Sequence, residues 1–192
     1  AQEIRLEDKR YILLPGFTFR LGRNRPGNDI VTRIEPRSPT NDRESLKISG
    51  CHCLISIRER HAILQDMSTN GTWLNGKKLQ AGEEAPIPDG AIIELAGVLK
   101  LRISITTDEH RILSIRVDRL NNLWSLGYLL IPIAVVIGSS PHASVQIPGV
   151  DERWMLILRK QKEVSETKAL YLCRIGEPGL LVSGNNIKKN EC

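Results

Sequence analysis

The chain has 192 residues, of which 41% are hydrophobic and 26% charged, with a net charge of +5. That length holds one large domain or two small ones, each able to bury a core, and the composition is that of an ordinary globular protein. The charge is too modest to argue for a nucleic-acid partner, and the four cysteines form no secreted disulfide framework. Reduced thiols and a cytoplasmic location are expected. No signal peptide is expected at Ala1, and a start at Ala1 with an abrupt end at Cys192 reads as a piece of a longer protein.

Helical periodicity is almost absent, and short β-rich runs follow one another. FTFRLG (17–22) is the first, closed by Gly22. The stretch from Asp29 to Ser49 carries Pro36, Pro39, Asn41 and Asp42 and reads as an extended loop. HCLISI (52–57), HAILQD (61–66) and TWLNG (72–76) then alternate as strands do. Asn75-Gly76 is a two-residue hairpin signal, because both central positions need positive φ. AIIELAG (91–97) and LKLRISI (99–105) follow. Regularly spaced short strands with turn signals between them predict an all-β sandwich. In LWSLGYLLIPIAVVIG (123–138) the apolar run is about 15 residues, against roughly 20 for a spanning helix. Gly127 and Pro132 interrupt it, so two buried strands with a turn are expected and no membrane span.

The pattern occurs twice. ILLPGFTFRLG (12–22) resembles YLLIPIAVVIG (128–138) at an offset of 116. SGCHCLISI (49–57) aligns with DERWMLILR (151–159), and STNGTWLNG (68–76) with GEPGLLVSG (176–184). Glycines match at 22/138, 71/179 and 76/184 while polar positions differ. The expected architecture is two β-sandwich domains in tandem, rich in antiparallel strands. Domain 1 spans 1–106, a short polar linker 107–111 follows, and domain 2 spans 112–192, incomplete at its C-terminus.

ISGCHCLI (48–55) invites a metal or thiol reading. On a strand, Cys51 and Cys53 share one face and His52 takes the other. A zinc site needs three or four converging ligands, and a Cys–His pair needs the base within reach of the sulfur. Neither arises here, so Cys53 is expected in the core. No phosphate-loop, dinucleotide or nucleophile-elbow motif is present. The polar residues that do fall together are Arg23 after Gly22, Ser49 before the 52–57 strand, and Ser68-Thr69-Asn70-Gly71-Thr72 in a turn. All belong to strand connections, which cluster at sandwich ends. A guanidinium fork, hydroxyls and a carboxamide together suit a phosphate monoester.

LGR (21–23), SGCH (49–52) and STNGTWLNG (68–76) resemble the forkhead-associated (FHA) domain. The resemblance covers 1–105 well and 111–192 in degraded form. It implies a β-sandwich that binds phosphothreonine peptides and has no catalytic residue, cofactor or metal. It implies that Arg23 grips the phosphate, that Ser49 and Thr69 hydrogen-bond to it, and that Asn70 holds the peptide backbone. Gly22, Gly50, His52, Gly71, Asn75 and Gly76 would support the site, with His52 bracing the loops. Gly50 stands where the family often has a larger, contacting residue. The 29–49 stretch is longer than usual, and its Arg33, Arg37 and Arg43 would favour acidic flanks. In the second copy Ser139, Asp151, Trp154, Glu177 and Pro178 replace the motif, which implies a domain without phosphate binding. The implied partner is a phosphothreonine-containing substrate of a Ser/Thr kinase, with no nucleic acid. The alternative is a phosphate-independent assembly scaffold on the same fold.

Overall fold

In the computed structural model the backbone is described for residues 2–6, 9–24, 26–107, 109, 111–120, 126–132, 134–138, 145–146, 155–160, 170–175, 181–182 and 185–186, and side chains for 10–24, 26–107, 109, 111–120 and 126–132. The chain begins with β1 (Gln2–Leu6), β2 (Lys9–Pro15), β3 (Thr18–Gly22) and β4 (Ile30–Val31), then one helix, α1 (Pro39–Ser45). β5 (Cys53–Arg58), β6 (His61–Asp66), β7 (Thr72–Leu74), β8 (Lys77–Lys78) and β9 (Glu84–Ile87) follow. Next come β10 (Ile92–Leu95), β11 (Leu99–Thr107), β12 (Ile112–Arg119) and β13 (Gly127–Ile131). Further strands are β14 (Ala134–Gly138), β15 (Val145–Gln146), β16 (Met155–Lys160), β17 (Leu170–Ile175), β18 (Leu181–Val182) and β19 (Asn185–Asn186).

Two sheets enclose the core. One has the order β1-β2-β13-β12-β11-β10-β7-β8 and the other β4-β3-β5-β6-β9. Alternation in the sequence becomes alternation in burial. In β3, Phe19 and Leu21 point inward and Thr18 and Arg20 outward. In β11, Leu99, Leu101 and Ile103 are buried while Lys100 and Arg102 face water. From the facing sheets Phe19, Leu21, Ile55 and Leu64 meet Ile93, Leu95, Leu101 and Ile103 in one buried cluster. Burying a large apolar side chain contributes about 1.5–3 kcal/mol. Asn75 (φ 49°) and Gly76 (φ 83°) form the β7–β8 turn, pairing Leu74 with Lys77. Both positive angles match what the dipeptide demands.

The 29–49 stretch differs from the expected loop. Ser38 is the N-cap of α1, its hydroxyl accepting from the Asn41 N–H at 3.1 Å, and a proline opens the helix. Proline has no N–H to lose at that position and its φ is already helical. Of the residues that suggested a loop, Pro39, Asn41 and Asp42 are therefore a helix start, while Pro36 lies in a bend before it. Ser45 closes the element inward, donating to the Asn41 carbonyl and accepting from the Ile34 N–H.

The hinge expected at 107–111 lies in a hairpin. β11 and β12 pair antiparallel from Leu101↔Arg119 to Thr107↔Ile112, with an irregularity at Thr106/Thr107. β12 pairs with β13, and β13 runs parallel to β2. β12 and β13 thus lie in the same sheet as β2 and β11. The parallel register is Tyr128↔Ile12 through Ile131↔Pro15, the same offset of 116 at which the sequences match. β13 (GYLLI) is buried along its whole length, as a strand covered on both faces should be. This accounts for the membrane-like run. Among the described residues no helix is long and apolar enough to cross a membrane. Gly127 is required here, because a Cβ would lie 2.5 Å from the ring of Tyr11. The Tyr11 hydroxyl donates to Asp118 at 3.0 Å, and burial beside that carboxylate pushes its pKa up to about 12. Ser139, Asp151, Trp154, Glu177 and Pro178 lie outside the described residues.

Candidate functional site

Three connections meet at one end of the sandwich: the chain leaving β3, the chain entering β5, and the β6–β7 turn. Gly22 ends β3 with a burden no other residue could carry, since a Cβ would overlap the Gly50 carbonyl oxygen and the Asn28 carboxamide. That close approach docks 23–24 against 48–50. The Arg23 N–H donates to the Ser49 carbonyl at 3.0 Å and the Asn24 N–H to the Gly50 carbonyl at 3.4 Å. Asn28 ties the same loop down, its Nδ2 donating to the carbonyls of Asn24 and Gly50. A Cβ on Gly50 would sit 2.9 Å from Asn24 Nδ2, so a larger residue there would displace that side chain.

Arg23 is half-buried, and its Nε donates to the Ile48 carbonyl at 3.0 Å. This fixes the plane of the guanidinium and leaves both Nη groups without a partner among the described residues. Ser49 Oγ accepts from the Thr69 N–H at 3.0 Å. With an acceptor site so used, its O–H remains a donor. Thr69 and Asn70 are exposed. Asn70 Nδ2 donates to the Lys47 carbonyl at 2.7 Å, which orients the carboxamide and leaves its oxygen and second N–H outward. The structure therefore brings Arg23, Ser49, Thr69 and Asn70 into one hydrogen-bonded cluster.

His52 lies beneath this cluster, fully buried. Its Nδ1 accepts from the Ser49 N–H at 3.0 Å, so its Nε2 carries the proton and donates to the Gly71 carbonyl at 3.1 Å. Its backbone N–H donates to Leu21 and its carbonyl accepts from Met67. One residue thus links β3, the 48–50 loop and the β6–β7 turn. Burial holds its pKa below the usual histidine value, with the Gly71 carbonyl and Asp66 opposing that shift more weakly. Gly71 takes φ +99°, and a Cβ there would overlap the Lys78 stem. Cys53 is buried and Cys51 half-buried, both as free thiols. Burial pushes the Cys53 thiol up, away from thiolate chemistry. Among the described residues no three His, Cys, Asp or Glu side chains converge as metal ligands.

Asp66 is a site residue that sequence reasoning missed. It is 2% exposed, and its Oδ1 accepts from the Ser68 N–H, the Ser68 hydroxyl and the Thr72 hydroxyl. Ser68 Oγ in turn accepts from Gly71 N–H at 2.8 Å. This buried carboxylate shapes the turn that presents Thr69 and Asn70. Asp two residues before Ser is a local turn signal, so DMSTNGT did contain it. Arg119 was also missed. It is 8% exposed, and it donates to the carbonyls of Arg33 and Val31 at 2.7 and 2.9 Å and pairs with Glu35 at 3.3 Å. No local pattern links partners more than 80 residues apart.

The arrangement offers an oriented guanidinium, two hydroxyls and a carboxamide at a surface where the neighbouring carboxylates are already engaged. Asp42 pairs with Arg37, Glu44 with Lys47, and Glu35 with Arg119. Such a surface attracts a tetrahedral anion.

Residues 19–96 match the family model for the FHA domain. None of the curated proteins matches the chain. Among solved structures, an engineered FHA domain with a Myc-pTBD peptide is 30% identical over 41% of this chain and 54% of its own, with a TM-score of 0.34. The chain thus spans about half the length of that structure. The N-terminal FHA domain of Rad53p from S. cerevisiae, in complex with a phosphothreonine peptide, is 27% identical over 54% of this chain and 68% of its own, with a TM-score of 0.32. The FHA domain of an Arabidopsis thaliana hypothetical protein is 27% identical over 58% of this chain and 74% of its own, with a TM-score of 0.35.

Proposed function

With an FHA domain at residues 19–96 as the premise, we propose that this chain binds phosphothreonine-containing peptides of partner proteins at the Arg23–Ser49–Thr69–Asn70 cluster. The observation that carries this reading is the state of Arg23. Its Nε is spent on Ile48 while both Nη groups are open among the described residues, a fork set for two phosphate oxygens. Ser49 Oγ–H donates to a phosphate oxygen, and the Thr69 hydroxyl adds another bond. Asn70 reads the peptide backbone beside the phosphothreonine. Phosphothreonine carries about −1.5 to −2 charges at neutral pH. Each charge-assisted hydrogen bond contributes roughly 1.5–3 kcal/mol. Three or four of these, less the ordering of a flexible peptide, give micromolar affinity, about −8 kcal/mol. The chemistry is recognition, with no bond made or broken, and the partner is a substrate of a Ser/Thr kinase.

In this reading the chain beyond β13 forms a second, degenerate FHA-like copy, shorter than the expected 112–192 because β12 and β13 join the first sheet. Its support is backbone order. The sheet β15-β14-β16-β17 repeats the order β4-β3-β5-β6. Its parallel pair Ile137↔Val145 and Gly138↔Gln146 parallels Leu21↔Ile30 and Gly22↔Val31. Ser139 stands where the first copy has Arg23, and Glu177 where it has Thr69, so the motif arginine that would grip a phosphate is replaced.

The test is fluorescence polarisation with a degenerate phosphothreonine peptide pool and its unphosphorylated match. Micromolar binding of the first pool alone, weakened roughly 100-fold or more in Arg23→Ala, is the expected result. Binding that survives phosphatase treatment of the peptide would favour the phosphate-independent scaffold.

A further inference from the structure

We propose that Arg33 forms a second anion subsite beside the phosphothreonine site, taking a carboxylate or second phosphate from the same peptide. This rests on the phosphothreonine reading and extends it to the ligand's charge pattern. Arg33 Nε donates to the carbonyl of Arg23 at 3.2 Å. The two arginines are therefore anchored alike, each by Nε on a main-chain oxygen, and the anchor of the second is the residue carrying the first. Both are half-buried. Neither has a partner for its Nη groups among the described residues.

The backbone around Arg33 is fixed from three sides. Arg119 holds the carbonyls of Val31 and Arg33. The Thr32 N–H donates to Gly22 at 3.0 Å, and the Ile34 N–H to Ser45 Oγ at 2.9 Å. A guanidinium pre-set in this way gives up little rotamer freedom when it takes an anion. Among the described residues, the other cations of this region differ. Arg37 is ion-paired with Asp42, Lys47 with Glu44 and Arg119 with Glu35. Arg43 is exposed on α1 without an anchoring hydrogen bond among the described residues. With Arg33 held on the Arg23 carbonyl, the two guanidiniums favour a ligand with two anionic groups over a ligand with one.

The experiment measures dissociation constants for the full chain against a phosphothreonine peptide with neutral flanks. A second series adds one glutamate or one phosphoserine, scanned through the positions on either side. The two series separate a carboxylate source from a phosphate source. The wild type should bind the neutral peptide and gain about five- to tenfold at one or two adjoining positions. Arg33→Ala should keep the affinity for the neutral peptide and lose that gain, while Arg43→Ala keeps both. No gain at any position, or a gain that persists in Arg33→Ala, would overturn the proposal. If the wild type fails to bind even the neutral peptide, the phosphothreonine reading itself falls, an outcome separate from loss of the gain alone.

Discussion

His52 shows how one buried side chain can hold a surface site. It is an acceptor toward Ser49 and a donor toward Gly71, a pairing that only the neutral ring makes. Its folded pKa lies below the ordinary 6.5. The unfolded chain therefore binds this proton more readily, and stability rises with pH across the window between the two values. His52 contributes in full above about 6.5, and its contribution falls as pH drops through the window. Denaturant unfolding of the wild type should show this loss, and a His52→Gln variant should show a flatter profile over the same range. Equal slopes would mean that the ring does not titrate between the two states. Cys53, by contrast, was legible from the start. Alternation along the strand put it in the core, and it is there. Asp66 was less so, because its three hydrogen bonds depend on a turn that closes only in the folded chain.

At the scale of elements, the strands were readable and the helix was not. FTFRLG, HCLISI, HAILQD and LKLRISI alternate and become β3, β5, β6 and β11. Asn75-Gly76 specified its own turn. There, Gly76→Ala forces an L side chain into left-handed backbone, which costs about 1 kcal/mol. Chemical denaturation should show that loss with phosphopeptide affinity unchanged, since a Cβ at Gly76 meets nothing within 4 Å and Asn75 hydrogen-bonds to Ile92. A collapse of affinity would tie this hairpin to the site more closely than its hydrogen bonds do. Helix α1 escaped because Pro, Asn and Asp serve both loops and helix starts. The Ser38 cap and the proline at the first turn decide between them only when the following turn packs, with Ser45 buried.

The whole molecule departs most from its sequence. Repetition marked 128–138 as an echo of 12–22, yet it could not say that the two segments would pair with each other. They do so because β2 and β13 are both apolar over much of their length and expose complementary edges. The consequence is a sheet whose continuity depends on residues beyond 106. A chain ending at 106 leaves the edges of β2 and β11 open and uncovers the surface that Ile115, Val117, Leu129 and Ile131 bury. Open apolar edges promote association. Such a chain should unfold less cooperatively and aggregate relative to one ending at 132. Identical melting curves for the two would place the boundary at 107–111 after all. Arg119 adds a second reason for the longer chain, since it reaches from β12 to the backbone beside the site.

Amide chemical shifts report directly where a phosphothreonine lies. A 15N-labelled chain titrated with a phosphothreonine peptide should show its largest perturbations at Arg23, Ser49, Thr69 and Asn70, including the Arg23 Nε–H and Asn70 carboxamide signals. The unphosphorylated peptide should leave these unmoved. Perturbations concentrated instead at the other pole, around the cleft of about 280 Å³ lined by Arg60, His61 and Asp89, would contradict the account.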